Sequence, residues 1–361
     1  MDRTLDQTKH YLALDGLRGV AALAVVCLHA TLFFRLGFIP YHAYLAVDFF
    51  FMLSGFVIAH AYDRRLAGGL SLGRFLTIRL IRLYPLVLLG IVLGTIALLA
   101  ATRFTSGLSK AAVLQAAVTN ALLLPSPAML NIRPSAFPTD GPLWSLAFEI
   151  WINVLYALCF RFLGMKSLGV ALIIGAVLTC WTALTYGGLN DGFVWSDFYL
   201  GGARVLFPFV AGVLLSRVMR HREDGTSWSH LAFLPLLVVL VAPRFFGGVY
   251  DALAVLVVFP VVLAVAADAP PRARLDAIWR WLGALSYPLY VLHYPFIVVL
   301  SNLAHQKHVT GVALDLAAGG TVVFVIVFAS LALRLYDMPV RRFLSGGLAR
   351  RSRGWPGQAR P

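Results

Sequence analysis

The sequence predicts an all-α, polytopic bundle of about ten membrane-spanning helices, on three observations. Of 361 residues, 60% are hydrophobic and only 13% charged, with a mean hydropathy of +0.82. Apolar runs near the roughly 20 residues a spanning helix needs recur along the chain. The lysines and arginines then sort to one side of those runs.

A water-soluble domain of this size needs far more polar residues to cover itself, so lipid must be the solvent for much of the chain. Collagenous, disordered and disulfide-stapled classes are excluded. The net charge is +14. In a soluble protein that would suggest nucleic acid, but no basic groove interleaved with aromatics is visible. Retention of positive residues on the cytoplasmic side explains the charge better. The expected partner is the bilayer, and no nucleic acid.

The first run, 17–34, contains Arg18 and His29, and Thr31-Leu32-Phe33-Phe34 is a poor cleavage neighbourhood. It reads as a retained helix rather than a signal peptide. Further runs fall at 44–62, 83–102, 143–160, 168–186, 200–216, 230–246, 249–267, 282–301 and 312–333. The stretch 111–124 is different: it is short, carries Gln115, Thr119 and Asn120, and leads into a loop with Pro125, Pro127, Pro134, Pro138 and Pro142. If it does not cross and the N-terminus is inside, 23 of the 30 lysines and arginines lie inside. That distribution satisfies the positive-inside bias. Ten spans with both termini cytoplasmic are therefore expected, with 111–124 re-entrant or interfacial. Residues 1–343 form one membrane domain, and 344–361 form an arginine-rich, disordered cytoplasmic tail. Cys27, Cys159 and Cys180 are odd in number and lack metal-type spacing, so three buried thiols and no metal are expected.

A charge at mid-membrane costs about 2.5–3.5 kcal/mol on insertion scales, so each needs a reason. His29, Asp48, Glu149, Arg204 and His293 all fall inside apolar runs, in the middle or outer part under this topology. They can satisfy one another by facing a shared polar cavity. Arg18 and His29 are eleven residues apart, about 20° from alignment on a helix, so both face the same interior. Arg79 and Arg82, at i and i+3, share a face before the third span. They suit a clamp for phosphate oxygens at the cytoplasmic mouth. Bland readings stand beside these. A histidine can be a satisfied core residue, Asp48 and Glu149 can simply pair with arginines between helices, and Arg79 and Arg82 can be a positive flank. Lipid reverses the default for His29.

The same residues carry a resemblance. Arg18 followed by ten residues and His29, the block Val47-Asp48-Phe49-Phe50-Phe51-Met52-Leu53-Ser54-Gly55-Phe56, and the Arg79/Arg82 pair lie in that order. Trp144-Ser145-Leu146 with Glu149 and Ser286-Tyr287-Pro288-Leu289-Tyr290-Val291-Leu292-His293 follow them. From about 11 to 343 the chain resembles the bacterial family 3 membrane acyltransferases, which modify O-antigens, exopolysaccharides, peptidoglycan, nodulation factors and some macrolides. It departs from the pattern at Asp337-Met338-Pro339, where a glutamate usually precedes proline. The hydrolase-like domain of longer relatives is absent, which leaves room for a periplasmic or polysaccharide-assembly partner.

The resemblance implies a membrane-bound O-acyltransferase of the bacterial inner membrane. The donor is acetyl-CoA or another acyl-CoA, and the acceptor is a hydroxyl of a glycan. Arg79, Arg82 and Arg18 would hold the donor. His29 would be the general base, oriented by Asp48 or Glu149, with Arg204, His293 or backbone amides at the oxyanion, and a covalent acyl-histidine step is a variant. The competing classes are a flippase for a lipid-linked glycan, an acyltransferase tailoring a macrolide or other small metabolite, and a non-catalytic scaffold.

Overall fold

The computed structural model describes residues 11–132, 134–219, 231–244, 247–268 and 273–353. The basic groups at Arg3, Lys9, Arg220, Arg222 and Arg272, and the end of the tail, lie outside them. The described residues form helices joined by loops, with one isolated bridge between Ser135 and Val194. Lipid offers no hydrogen bonds, so each crossing segment must satisfy its own backbone, and a helix does this within one segment.

Thirteen α-helices are described. They are α1 (Leu12–Phe34), α2 (Ala46–Ala67), α3 (Leu72–Ala101), α4 (Lys110–Ala121), α5 (Leu143–Cys159), α6 (Met165–Tyr186) and α7 (Leu200–Met219). There follow α8 (Phe233–Val241), α9 (Gly248–Leu253), α10 (Phe259–Ala267), α11 (Ala273–Gln306), α12 (Val312–Ala332) and α13 (Met338–Arg353). One π turn (Ala254–Val258) joins α9 to α10, and another (Leu333–Asp337) joins α12 to α13. Nine segments among the described residues are long and apolar enough to cross a membrane. The chain is a multi-pass membrane protein.

The end where α1 begins is called basal here, and the other apical. Nine of the ten expected spans match those nine segments. The tenth, 230–246, contributes only the nine residues of α8, about 13 Å of helix at 1.5 Å per residue. Its Phe233 ring lies 5.9 Å from Trp279, the residue that packs on Gly16 near the basal end. Just after α8, His42 of the apical loop approaches the Pro243 carbonyl at 3.3 Å. The chain therefore still passes from one end to the other.

The short α4 packs beside α3, and Tyr84 donates to the Ala121 carbonyl. The strand-like contact of 134–136 with 193–195 lies at the apical end, and Thr139 and Asp140 then press against Gly94 and Gly90 of α3. So 111–124 returns without crossing, as expected. The segment 139–142 is non-helical at mid-depth, where packing against protein rather than lipid makes it tolerable. The expected disordered tail begins as helix, because α13 runs to Arg353. Cys27, expected buried, is exposed on the outer face of α1, and Cys159 and Cys180 are half-buried. An apolar helix turns part of its circumference to lipid, so an apolar position is not by itself an interior one.

Two arginine–aspartate pairs pin α2 to α7. Apically, Arg204 donates to Asp48 from Nε at 3.3 Å and from Nη2 at 2.6 Å. Basally, Arg217 Nε donates to Asp63 at 2.9 Å. Between the pins, a Cβ on Gly55 would sit 2.0 Å from the Phe209 carbonyl oxygen, and one on Gly212 2.0 Å from that of Met52. Only glycine allows this backbone approach, the usual way helices associate in lipid. A Cβ on Gly320 of α12 would meet nothing within 4 Å. Gly212→Ala should therefore cost about 1–3 kcal/mol of stability through overpacking, while Gly320→Ala costs nothing. Thermal unfolding in detergent checks this, and equal melting of the two variants would contradict it.

Candidate functional site

A cavity of about 690 Å³ opens between α1, α2, α3, α5, α11 and the α12–α13 turn. That is within the range of ligand-sized pockets. Five arginines line it, Arg18, Arg79, Arg82, Arg280 and Arg341, against two carboxylates, Asp15 and Glu149. Apolar and aromatic side chains, among them Phe50, Phe51, Leu146 and Tyr290, line its deeper part.

Each inner charge is held. Arg18 donates from Nε to Ser286 Oγ at 2.8 Å and from Nη2 to the Gly283 carbonyl at 3.0 Å, and it pairs with Asp15 at 2.9 Å. Arg79 is buried and donates to Glu149 Oε1 at 2.8 Å, the oxygen that Ser54 also reaches at 2.9 Å. The Arg79 Nε–H has no partner. Arg82 is exposed and makes no ion pair among the described residues. The three arginines expected at the donor, Arg18, Arg79 and Arg82, thus line one chamber, and Glu149, expected beside His29, lines it with them instead.

His29 and His293 form a second centre. His29 Nδ1 lies 2.8 Å from His293 Nε2, with the rings stacked at 5.0 Å. His293 Nδ1 lies 2.9 Å from the Leu289 carbonyl. A carbonyl only accepts, so Nδ1 of His293 carries a proton. In the neutral ring Nε2 then bears a lone pair and accepts from His29 Nδ1–H. That leaves His29 Nε2 unprotonated. His293 fixes the tautomer of its neighbour as a carboxylate would. His29 is partly exposed, with Tyr294 and Phe33 edging its ring at 5.4 and 6.3 Å.

Several expectations change. Asp48 does not share a chamber with His29. It is fully buried against Arg204, whose Nη1 goes to the Asp191 carbonyl at 2.6 Å and whose guanidinium lies 5.0 Å over Trp144. This pair is a helix tie, and its guanidinium, which also donates to the Tyr44 carbonyl at 3.5 Å, is committed to that tie rather than to an oxyanion beside His29. Glu149 does not orient His29 either, because Arg79 and Ser54 engage it. The residue that orients His29 is His293, which sequence reasoning assigned to the oxyanion instead. Neither histidine lines the arginine cavity. Phe50 and Tyr290, edge to face at 5.3 Å, and Ser145, 2.6 Å from the Tyr290 hydroxyl, stand between. Arg18 and His29 do face one partner, α11, but at different levels.

Ser286 and Tyr290 belong to the segment that carries the resemblance, but sequence reasoning assigned them no role, although 286, 290 and 293 follow the i, i+4, i+7 pattern of one helix face. It also passed over Asp140, whose two oxygens are buried without a partner.

The family profile described as an acyltransferase domain matches residues 11–334. A relative, Protein 2 in the picA locus of Rhizobium radiobacter, is 39% identical over 185 residues, 47% of this chain and 93% of that protein. A second, the peptidoglycan O-acetyltransferase OatA of Listeria monocytogenes, is 24% identical over 379 residues, covering 95% of this chain and 58% of that protein. The chain thus spans somewhat over half the length of OatA. No solved structure matches it.

Proposed function

We propose, from the premise that this chain belongs to the acyltransferase 3 family, that it moves an acetyl group from a cytoplasmic acyl-CoA to a hydroxyl of a glycan. The bacterial inner membrane is the setting, with the basal end cytoplasmic. The single observation that carries this reading is the tautomer-locked histidine pair set just beyond an arginine-rimmed, apolar-ended cavity. A flippase has no use for an imidazole nitrogen held unprotonated. OatA, a peptidoglycan O-acetyltransferase by name, supports acetyl as the group and a glycan as the acceptor.

In this mechanism the phosphates of the donor stay at the arginine mouth, and the pantetheine arm extends along the apolar part past Arg18. Arg79 has an unused buried Nε–H, and Arg82 is unpaired, so both have donors for phosphate oxygens. The thioester passes the layer of Phe50, Tyr290 and Ser145 to reach His29. His29 Nε2 takes the proton of the acceptor hydroxyl as its oxygen attacks the thioester carbonyl. The tetrahedral intermediate collapses, the C–S bond breaks, and the imidazolium returns that proton to the leaving thiolate. The ester and free CoA thiol result, with no net proton consumed. General-base assistance of this kind contributes roughly 10²–10⁴-fold.

Thiol release by purified protein with acetyl-CoA and a panel of glycan acceptors tests the reading. His29→Ala should abolish acceptor-dependent release while the protein stays folded, and full turnover would overturn the assignment. Transport of a glycan without thiol release would favour the flippase class. His293→Ala should lower kcat by about 10²-fold or more and leave the donor KM near the parent value. A variant that changed only KM would show that His293 does not orient the base. Arg79→Ala with Arg82→Ala should raise the donor KM and leave the acceptor KM unchanged. An equal rise in both would place these arginines outside the donor site.

A further inference from the structure

The arginines of the cavity divide into two groups, and the second is not used by the mechanism above. Arg18, Arg79 and Arg82 come from α1 and α3. Arg280 and Arg341 come from α11 and α13 and line the same cavity. Arg280 is exposed and makes no ion pair among the described residues. Arg341 is aimed. Its Nε donates to Asp337 Oδ1 at 2.8 Å, and its Nη2 lies 2.6 Å from Oδ2. Asp337 itself is fully buried in the π turn Leu333–Asp337, a distortion often found at functional sites. The guanidinium lies 6.0 Å over the Tyr287 ring, whose hydroxyl donates to the Leu83 carbonyl at 2.6 Å. Asp337 thus takes one edge of the fork, Tyr287 supports its face, and the Nη1 edge remains for a ligand. Such a guanidinium loses little freedom when it binds an anion.

We infer that Arg280 and Arg341 hold a second anionic group of the donor, a phosphate monoester on its nucleotide, separate from the diphosphate held by Arg79 and Arg82. This rests on the acyl-CoA reading and narrows it. The donor is an acyl thioester of a ribose-phosphorylated nucleotide, and shorter pantetheine phosphate thioesters are poor substitutes. Asp337 is a positioning residue, acting through Arg341. The substitution of aspartate for the glutamate usual in resembling chains leaves the two-point contact with Arg341 intact.

The test compares acetyl-CoA with its dephospho form, which lacks only the ribose phosphate. Thiol release is measured with one acceptor throughout. The parent protein should show a KM for the dephospho donor about tenfold higher or more, with kcat little changed. Arg341→Gln, and separately the exposed Arg280→Gln, should raise the KM for acetyl-CoA toward the dephospho value. Each should leave the dephospho KM within about twofold. Asp337→Asn should weaken the discrimination partly. Equal KM values for the two donors in the parent protein would overturn the inference without touching the acyl-CoA reading. So would variants that raise both KM values by one factor. Absence of thiol release from either donor would remove the acyl-CoA reading, and this inference with it. The parent comparison decides the matter even if a variant fails to fold.

Discussion

The structure depends on one constraint, that lipid penalises any charge without a partner. The chain meets it in three separate ways. Asp48 with Arg204 and Asp63 with Arg217 close on themselves and pin α2 to α7. Arg18, Arg79 and Glu149 face a polar chamber and share their hydrogen bonds with Ser286, Ser54 and backbone carbonyls. His29 and His293 solve the problem as a neutral pair, each imidazole supplying what the other lacks. Breaking a buried ion pair on one side costs about 3–5 kcal/mol, so the first class fixes the fold rather than the chemistry. The other two are where chemistry is available.

The separation of cations from imidazoles has a physical logic. On the proposed acyl-CoA reading, donor phosphates stay hydrated and need cations near water, whereas a general base needs a neutral ring in a dry setting. One cavity with arginines at the mouth and aromatic groups at depth supplies the gradient between them. The aromatic layer of Phe50 and Tyr290 keeps the two environments distinct, and only a slender, apolar arm could bridge them. The glycines of α2 and α7 matter here indirectly. They allow close helix contact on the side of the bundle that bears the ties, so the residues of the cavity are held on a stiff frame.

Much of this was legible in the sequence. Hydropathy and charge bias sufficed for the membrane bundle and for the non-crossing 111–124 segment, because lipid leaves few alternatives. The eleven-residue spacing put Arg18 and His29 on one face of α1, and both contact α11, but only Arg18 lines the arginine cavity. Partner identity was not legible. Asp48 and Arg204 fall at suitable heights to serve His29, but height along a helix says little about azimuth, and Glu149 lies lower than expected because the non-helical 139–142 delays the start of α5. Arg204 turned to Asp48 and Glu149 to Arg79, and His293 filled the place left beside His29. Arg341 entered the sequence reading only as one of the cytoplasmic positive residues. Its role in the cavity depends on the π turn at 333–337, which no local pattern announced.

The central claim is that the donor lies with its nucleotide at the basal arginines and its thioester toward the histidine pair. A photoreactive acyl-CoA carrying its crosslinking group on the acyl end, mapped by mass spectrometry of the labelled protein, tests it most directly. The account predicts label on the peptides that contain Phe50, Ser145 and Tyr290. Label confined to the lipid-facing side of α12, or to the arginine mouth alone, would contradict it.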